Sequence, residues 1–288
     1  MNSPRDLRRR IKSVSGTAQI TKAMQMVAAS KMRRAQQAAI DTGPFARFVY
    51  RIQRLATTQA PDVRHPLLEV REVRRRAVIL IAGDKGLCGA LNSNVFRLAS
   101  QFDPATTVYI TAGRKASQFV ARSKRQLAAA FEYGDTPTFP QARAIATFAR
   151  DLYVKREVDE VRLVTTRFVN TLVQQPLSIE YLPVGQIQAI RVQGVDEEAL
   201  HAADSEETLF EPDAESVIGY LIGHYLNIYV MYALLSAKAS EQSARMVSMK
   251  NATDAAESLI DSLTLEYNKL RQGNITKELL EIAGGQAG

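Results

Sequence analysis

The chain has 288 residues of which 46% are hydrophobic, enough for a sizeable core in one or two domains, and this excludes a disordered tail. Its formal net charge of +7 is unevenly spread: residues 1–76 hold 17 Lys and Arg against 5 Asp and Glu, whereas residues 195–215 hold 9 acids and no base. A single cysteine, Cys88, excludes an internal disulfide, and together with three scattered histidines (His65, His201, His224) it offers no zinc-ligand spacing.

The N-terminus, "MNSPRDLRRRIKSV", has no apolar core region, and Asp6 interrupts its basic run, so neither a secretory signal nor a transit peptide is expected. A basic first quarter suits a polyanionic partner, which could be nucleic acid, anionic lipid or an acidic protein surface; a solvated helix face is the plainer reading. From Pro4 to about Thr57, small or apolar residues recur at Leu7, Ile11, Val14, Ala18 and Thr21, joined by Ile20, Met24 and Val27. Steps of three and four predict one helix about 80 Å long, in which "TGP" at 42–44 is the only strong breaker.

The middle of the chain changes period. "RAVILIAG" (76–83), "TTVYITAG" (106–113), "QLAAAFEY" (126–133) and "EVRLVTTRFV" (160–169) read as strands, with helices near 91–102, 114–124 and 138–156 between them. This alternation predicts a Rossmann-like sheet, and "VQQPLSIEYLPV" adds a final strand that could run antiparallel. "IAGDKGLCGALN" stands where such folds place phosphate-binding loops, but Gly83, Gly86 and Gly89 fit neither GxGxxG nor a Walker A loop, so a tight strand-to-helix turn is expected. Cys88 has no histidine base within this α/β unit and reads as a small buried thiol.

At "EPDAES" a second long helix begins, with Pro212 suited to a first turn and Asp213 and Glu215 to the positive end of its dipole. Its stripe runs Val217, Leu221, His224, Ile228, Met231, Leu235, Lys238 and Gln242, then Met246, Met249, Thr253, Ala256, Ile260, Leu263, Tyr267 and Leu270. Steps of three and four alternate as in a heptad, predicting about 100 Å of helix. "VIGYLIGHYLNIYVMYALL" (217–235) nearly reaches spanning length, but its His224, Asn227 and two Gly favour a buried helix. Two helices this long on either side of an α/β insert are expected to wind together as an antiparallel coiled coil. Ala18, Ala28, Thr253 and Ala256 would then lie at the seam and Ser30, Ala29, Ser240, Ser243, Ala244 and Ser248 on outer faces, beside isolated charges such as Lys31, Arg245 and Lys250. The domains so drawn are 1–58, 76–194 and 211–284.

Several stretches carry a resemblance. "ITKAMQMVAASKMRRAQ", "GDKGLCGALN", "RFVNTLVQQP", "EPD", "ASEQSARMVSMKNATDAAESLI" and "YNKLRQGNITKELLEI" resemble the gamma-subunit family of F-type ATP synthases, the central stalk, from Arg5 to Ile282. The resemblance implies a rotor shaft inside a ring of alpha and beta subunits. Its α/β domain would lie near an epsilon subunit and its lower end on a membrane c-ring, peripheral to the cytoplasmic side of a bacterial inner membrane. It implies no catalytic residues, cofactor, metal, nucleic acid or direct nucleotide binding in this chain.

The resemblance also implies partner contacts. Arg245 and Gln272 match residues that hydrogen-bond a beta-subunit loop, with Thr276 and Glu278 on the same gripping stretch. Met24 matches a position facing the acidic lever of a beta subunit, Asp84 and Lys85 lie in the loop approaching that lever, and Lys31 joins this contact set. Glu211, after Phe210, matches the foot on c-subunit loops, with Arg33 and Arg34 as weaker candidates there. The family loop commonly reads Ser-Asp-Arg where this chain has Gly83-Asp84-Lys85, and Gly273 and Asn274 replace residues that are commonly more helix-friendly. A paired-cysteine insertion is absent, so no thiol switch is implied. The reading from a different class is a basic coiled-coil adaptor for nucleic acid or anionic membrane.

Overall fold

A computed structural model describes residues 3–59, 65–184 and 214–285. The elements in chain order are helix α1 (Pro4–Gln59), a 3-10 turn (Pro66–Leu68), β1 (Arg76–Ile81), α2 (Leu91–Ala99), β2 (Thr107–Ala112) and α3 (Arg114–Arg122). Then come β3 (Gln126–Phe131), α4 (Phe139–Val154), β4 (Glu160–Phe168), β5 (Gln174–Leu182) and a last helix, α5 (Ala214–Gly285). Every strand and helix expected from the sequence is present within a few residues of its expected ends. The fold is mixed α/β, with a mainly parallel sheet and long terminal helices.

The chain forms two compact units, Met1–Ala29 with Arg245–Gly288, and Ser30–Ala244. In the first, burial follows the expected stripes. Leu7, Ala18 and Ala28 of α1 and Met249, Thr253 and Ala256 of α5 are buried, and the Thr21 and Thr253 hydroxyls share a 2.7 Å hydrogen bond. Two residues assigned to the α1 stripe do not belong there: Ile20 is 62% and Val27 55% exposed. Each helical residue turns the chain by about 100°, which carries both to the side of α1 opposite Leu7, Ile11 and Ala18.

In the second unit the sheet order is β3-β2-β1-β4-β5, with only β5 antiparallel. β1 is covered on both faces, which is why it reads as an unbroken apolar run. Ala77, Ile79 and Ile81 join a cluster with α4 residues Ile145 and Ala149 and α5 residues Leu226 and Leu234. Val78, Leu80 and Ala82 face the opposite cluster with Val95 of α2 and Val120 of α3. Each fully buried Val, Leu or Ile contributes about 1.5–3 kcal/mol.

Segment 217–235 is a packed helix here: Ile222, Leu226, Val230 and Leu234 are buried against the sheet, and among the described residues no helix is long and apolar enough to cross a membrane. Ser240 and Ser243, expected on an outer face, are fully buried. The α/β unit covers that side of α5, with the Ser243 hydroxyl donating to the Thr171 carbonyl at 2.7 Å. A helix wheel cannot anticipate this, because the covering residues come from the β4–β5 turn.

Candidate functional site

The chemistry of the second unit converges on Lys238 of α5. Its side chain is 2% exposed, yet it carries a charge, so the fold must supply counter-charges. Glu241, one turn on, accepts from its Nζ at 3.1 Å. Asp84, in the loop after β1, and Asp135, in the loop before α4, lie 3.8 and 3.7 Å away. Lys31 of α1 pairs with the other Asp135 oxygen, and the Lys238 ammonium stands 5.2 Å from the Tyr133 ring centroid.

Local backbone rules place these groups. Gly83 ends the approach of β1 to α5, where an added Cβ would meet Glu241 Cδ at 2.9 Å, so a side chain there would require the end of Glu241 to shift. Its N–H is held by Asn92 Oδ1 at 3.1 Å. Asp84 Oδ1 accepts the Arg114 backbone N–H at 3.0 Å, tying the loop to the start of α3. Tyr133 is buried and donates its hydroxyl to the Ala82 carbonyl at 2.9 Å.

The electrostatics follow from this crowding. Burial first, then the Glu241 and Asp84 carboxylates, push the Tyr133 phenol well above its ordinary range, so it stays a neutral donor. The hydrogen bond from Lys31 holds the Asp135 carboxyl below its ordinary value; burial opposes this, and the Lys238, Lys31 and Lys85 charges reinforce it. Such a lowered carboxylate contributes stability that is present above its unfolded value of 3.8 and is lost as pH falls through the lower folded one. In acid titrations of unfolding, Asp135→Asn should therefore show a shallower loss of stability below about pH 4 than the parent chain. Equal slopes would remove Asp135 from this account.

The other sequence-derived contact residues are dispersed. Lys85 is exposed on the Asp84 loop. Met24 is half-buried on α1, and Arg245 is buried in the first unit. Gln272 and Thr276 are exposed near the end of α5, with Thr276 Oγ1 donating to the Gln272 carbonyl at 2.9 Å. Arg245 and Gln272 lie about 40 Å apart along that helix. The Glu278 side chain and all of Glu211 lie outside the described residues. The structure thus gathers Lys31, Asp84 and Lys85, and leaves Met24, Arg245, Gln272 and Thr276 as separate points on the helices.

Sequence reading missed Asp135 and Glu241 entirely and took Lys238 for an ordinary seam position. One signal was available: a lysine in an apolar stripe with a glutamate three residues later calls for a buried ion pair. The loop expectation is met, since Leu87 and Gly89 take φ of 62° and 58°, forming a tight turn into α2. Cys88 is a buried free thiol, as expected.

The ATP synthase family model matches residues 3–288, nearly the whole chain. The chain belongs to the ATP synthase gamma-chain family. It is 44% identical over 291 residues to the ATP synthase gamma chain of Opitutus terrae, covering 99% of this chain and 98% of that one. With the gamma chain of Methylacidiphilum infernorum it shares 40% identity over 294 residues, covering 99% of each. A chain from the central stalk and c-ring structure of the Tetrahymena thermophila mitochondrial ATP synthase superposes with a TM-score of 0.61 at 27% identity, over 81% of this chain and 99% of that one. A chain of the Euglena gracilis mitochondrial ATP synthase agrees in fold, with a TM-score of 0.66 at 19% identity, over 99% of this chain and 93% of that one. Within the gamma-chain family, the α/β unit with its mainly parallel sheet and the two long helices are the shared frame.

Proposed function

We propose that the chain is the central rotor shaft of a proton-translocating F-type ATP synthase, carrying torque between a membrane c-ring and a catalytic ring of alpha and beta subunits. The observation that carries this reading is the pair of unbroken helices, 56 and 72 residues long, at the two ends of a gamma-chain-family sequence. Lengths of this kind exceed what a globular core needs. Pairing of α1 with α5, as at Thr21 and Thr253, suits a rod able to transmit twist, and the 76–194 domain is the proposed attachment for epsilon.

An asymmetric rod turning inside a ring meets each beta subunit differently, so each catalytic site is driven through states of different nucleotide affinity. In this reading the chain itself is non-catalytic and binds neither nucleotide nor nucleic acid. The surroundings of the loop after β1 support that: its own Asp84 carboxylate and that of Glu241 on α5, beside Gly83, stand where a phosphate would need donors. The bacterial relatives support a peripheral place on the cytoplasmic side of an inner membrane.

Met24, Lys31, Asp84, Lys85, Glu211, Arg245, Gln272, Thr276 and Glu278 are the proposed contact points with these partners. Lys31 and Asp84 act there from within the intrachain ion cluster. Arg245→Ala should remove a charge-assisted hydrogen bond to a beta subunit worth about 1.5–3 kcal/mol. The measurement is ATP-driven proton pumping per ATP hydrolysed in membrane vesicles, which should drop. Unchanged pumping would count against the assignment.

A further inference from the structure

Among the described residues, β3 closes one side of the sheet and pairs only with β2. In a parallel ladder the N–H and C=O of one residue point to the same side, and successive residues alternate. Gly113 N–H donates to the Phe131 carbonyl at 3.0 Å, and Thr111 Oγ1 donates to that of Ala129 at 3.4 Å. Residues 129 and 131 therefore face β2, and the Ala130 N–H and C=O face away from the sheet.

Proteins usually guard such an edge with charges, proline, a covering helix or a bulge. β3 reads "QLAAAF", without charge or proline; Gln126, Leu127, Ala128 and Ala130 are exposed or nearly so, and Leu127 keeps 44% of its surface. The one irregularity is a register shift at the level of Tyr109 and Ile110, which precedes residues 129–131. Residues 114–125, which lead into the strand, hold Arg114, Lys115, Arg122, Lys124 and Arg125 and no acid. Arg125 is committed to the Ser100 and Phe102 carbonyls. Arg122 and Lys124 are exposed and make no side-chain hydrogen bond or ion pair among the described residues.

We infer that the β3 edge is a strand-pairing surface for an extended, net acidic segment of another polypeptide of the assembly, which adds as a sixth strand. Its backbone bonds to Ala130, and its carboxylates lie over Arg122 and Lys124 at the N-terminal end of the strand. Main-chain bonding supplies adhesion, and the basic approach selects the sign of the partner. The inference rests on the chain working inside an assembly and not on rotation, so its failure leaves the shaft reading intact.

The test uses the purified complete complex. Deuterium exchange should show the Ala130 amide slowed by about 100-fold or more, whereas an open edge amide exchanges freely. A photo-crosslinking residue at Leu127 should capture an extended, acid-rich segment of a different subunit. Ala130→Pro removes only an outward N–H, which an edge strand tolerates; crosslinking should be lost while β1 amides stay protected. Should that variant misfold, the Arg122→Glu/Lys124→Glu pair carries the test on exposed side chains, again with loss of the crosslink expected. Fast exchange at Ala130 in the complex, or a crosslink to a helix, to a basic segment or to a second copy of this chain, would overturn it.

Discussion

Replacing Lys238 with methionine should lower the unfolding free energy of the chain by about 3–5 kcal/mol, the usual cost of removing one partner from a buried ion pair. The reason is what remains rather than what is lost. Glu241 is also 2% exposed and would be left buried without the ammonium 3.1 Å away, while Asp84, at 14%, would lose that ammonium too. Methionine matches the length of the lysine stem, so the packing change is small and the electrostatic one large. Adding Glu241→Gln should recover much of the loss, because the second substitution removes the stranded charge. A urea titration of the single and double variants decides it: a loss below about 1 kcal/mol for Lys238→Met would mean that the ions are worth no more than a surface pair.

Gly113→Ala should cost roughly 2–6 kcal/mol, from left-handed backbone strain together with overpacking. Gly113 takes φ of 95°, and its missing Cβ would lie 2.1 Å from the Ala82 carbonyl oxygen. That oxygen cannot swing aside: Ala82 N–H is bonded to the Ala112 carbonyl at 3.0 Å, and the Ala82 carbonyl accepts from Tyr133. The glycine is where β2 turns into α3 beside the end of β1, so the clash sits between two central strands. Gly134→Ala is the control, since nothing lies within 4 Å of its added Cβ. Urea midpoints and soluble yields should separate the two widely; similar values for both would refute the steric account.

Strands and helices were legible because each has a strong local period: a continuous apolar run for β1, buried on both faces, and three-four spacing for the lower part of α5. The stripe continued correctly from Met249 through Thr253 to Ala256, where Thr21 of α1 meets Thr253 as a two-helix picture expects. It misled at Ser240 and Ser243, where the α/β unit packs on the side of α5 that a two-helix picture leaves to solvent. The ion cluster was illegible for a related reason. Lys31, Asp84, Asp135 and Lys238 stand on four different elements, and only the closing of the sheet topology brings them within 4 Å. Motifs, by contrast, carried the family directly, since they are contiguous and do not depend on knowing what packs on what.

Open parallel sheets have a natural receptacle: the cleft at the carboxyl ends of the two strands where the winding direction reverses. In the order β3-β2-β1-β4 that reversal falls between β1 and β4. Here α5 stoppers the cleft, with Glu241 against Gly83 after β1 and the Ser236 hydroxyl accepting the Phe168 N–H at the end of β4, at 3.0 Å. The architecture that elsewhere holds a dinucleotide has been turned into a bracket, with the chain's own helix seated as a permanent guest.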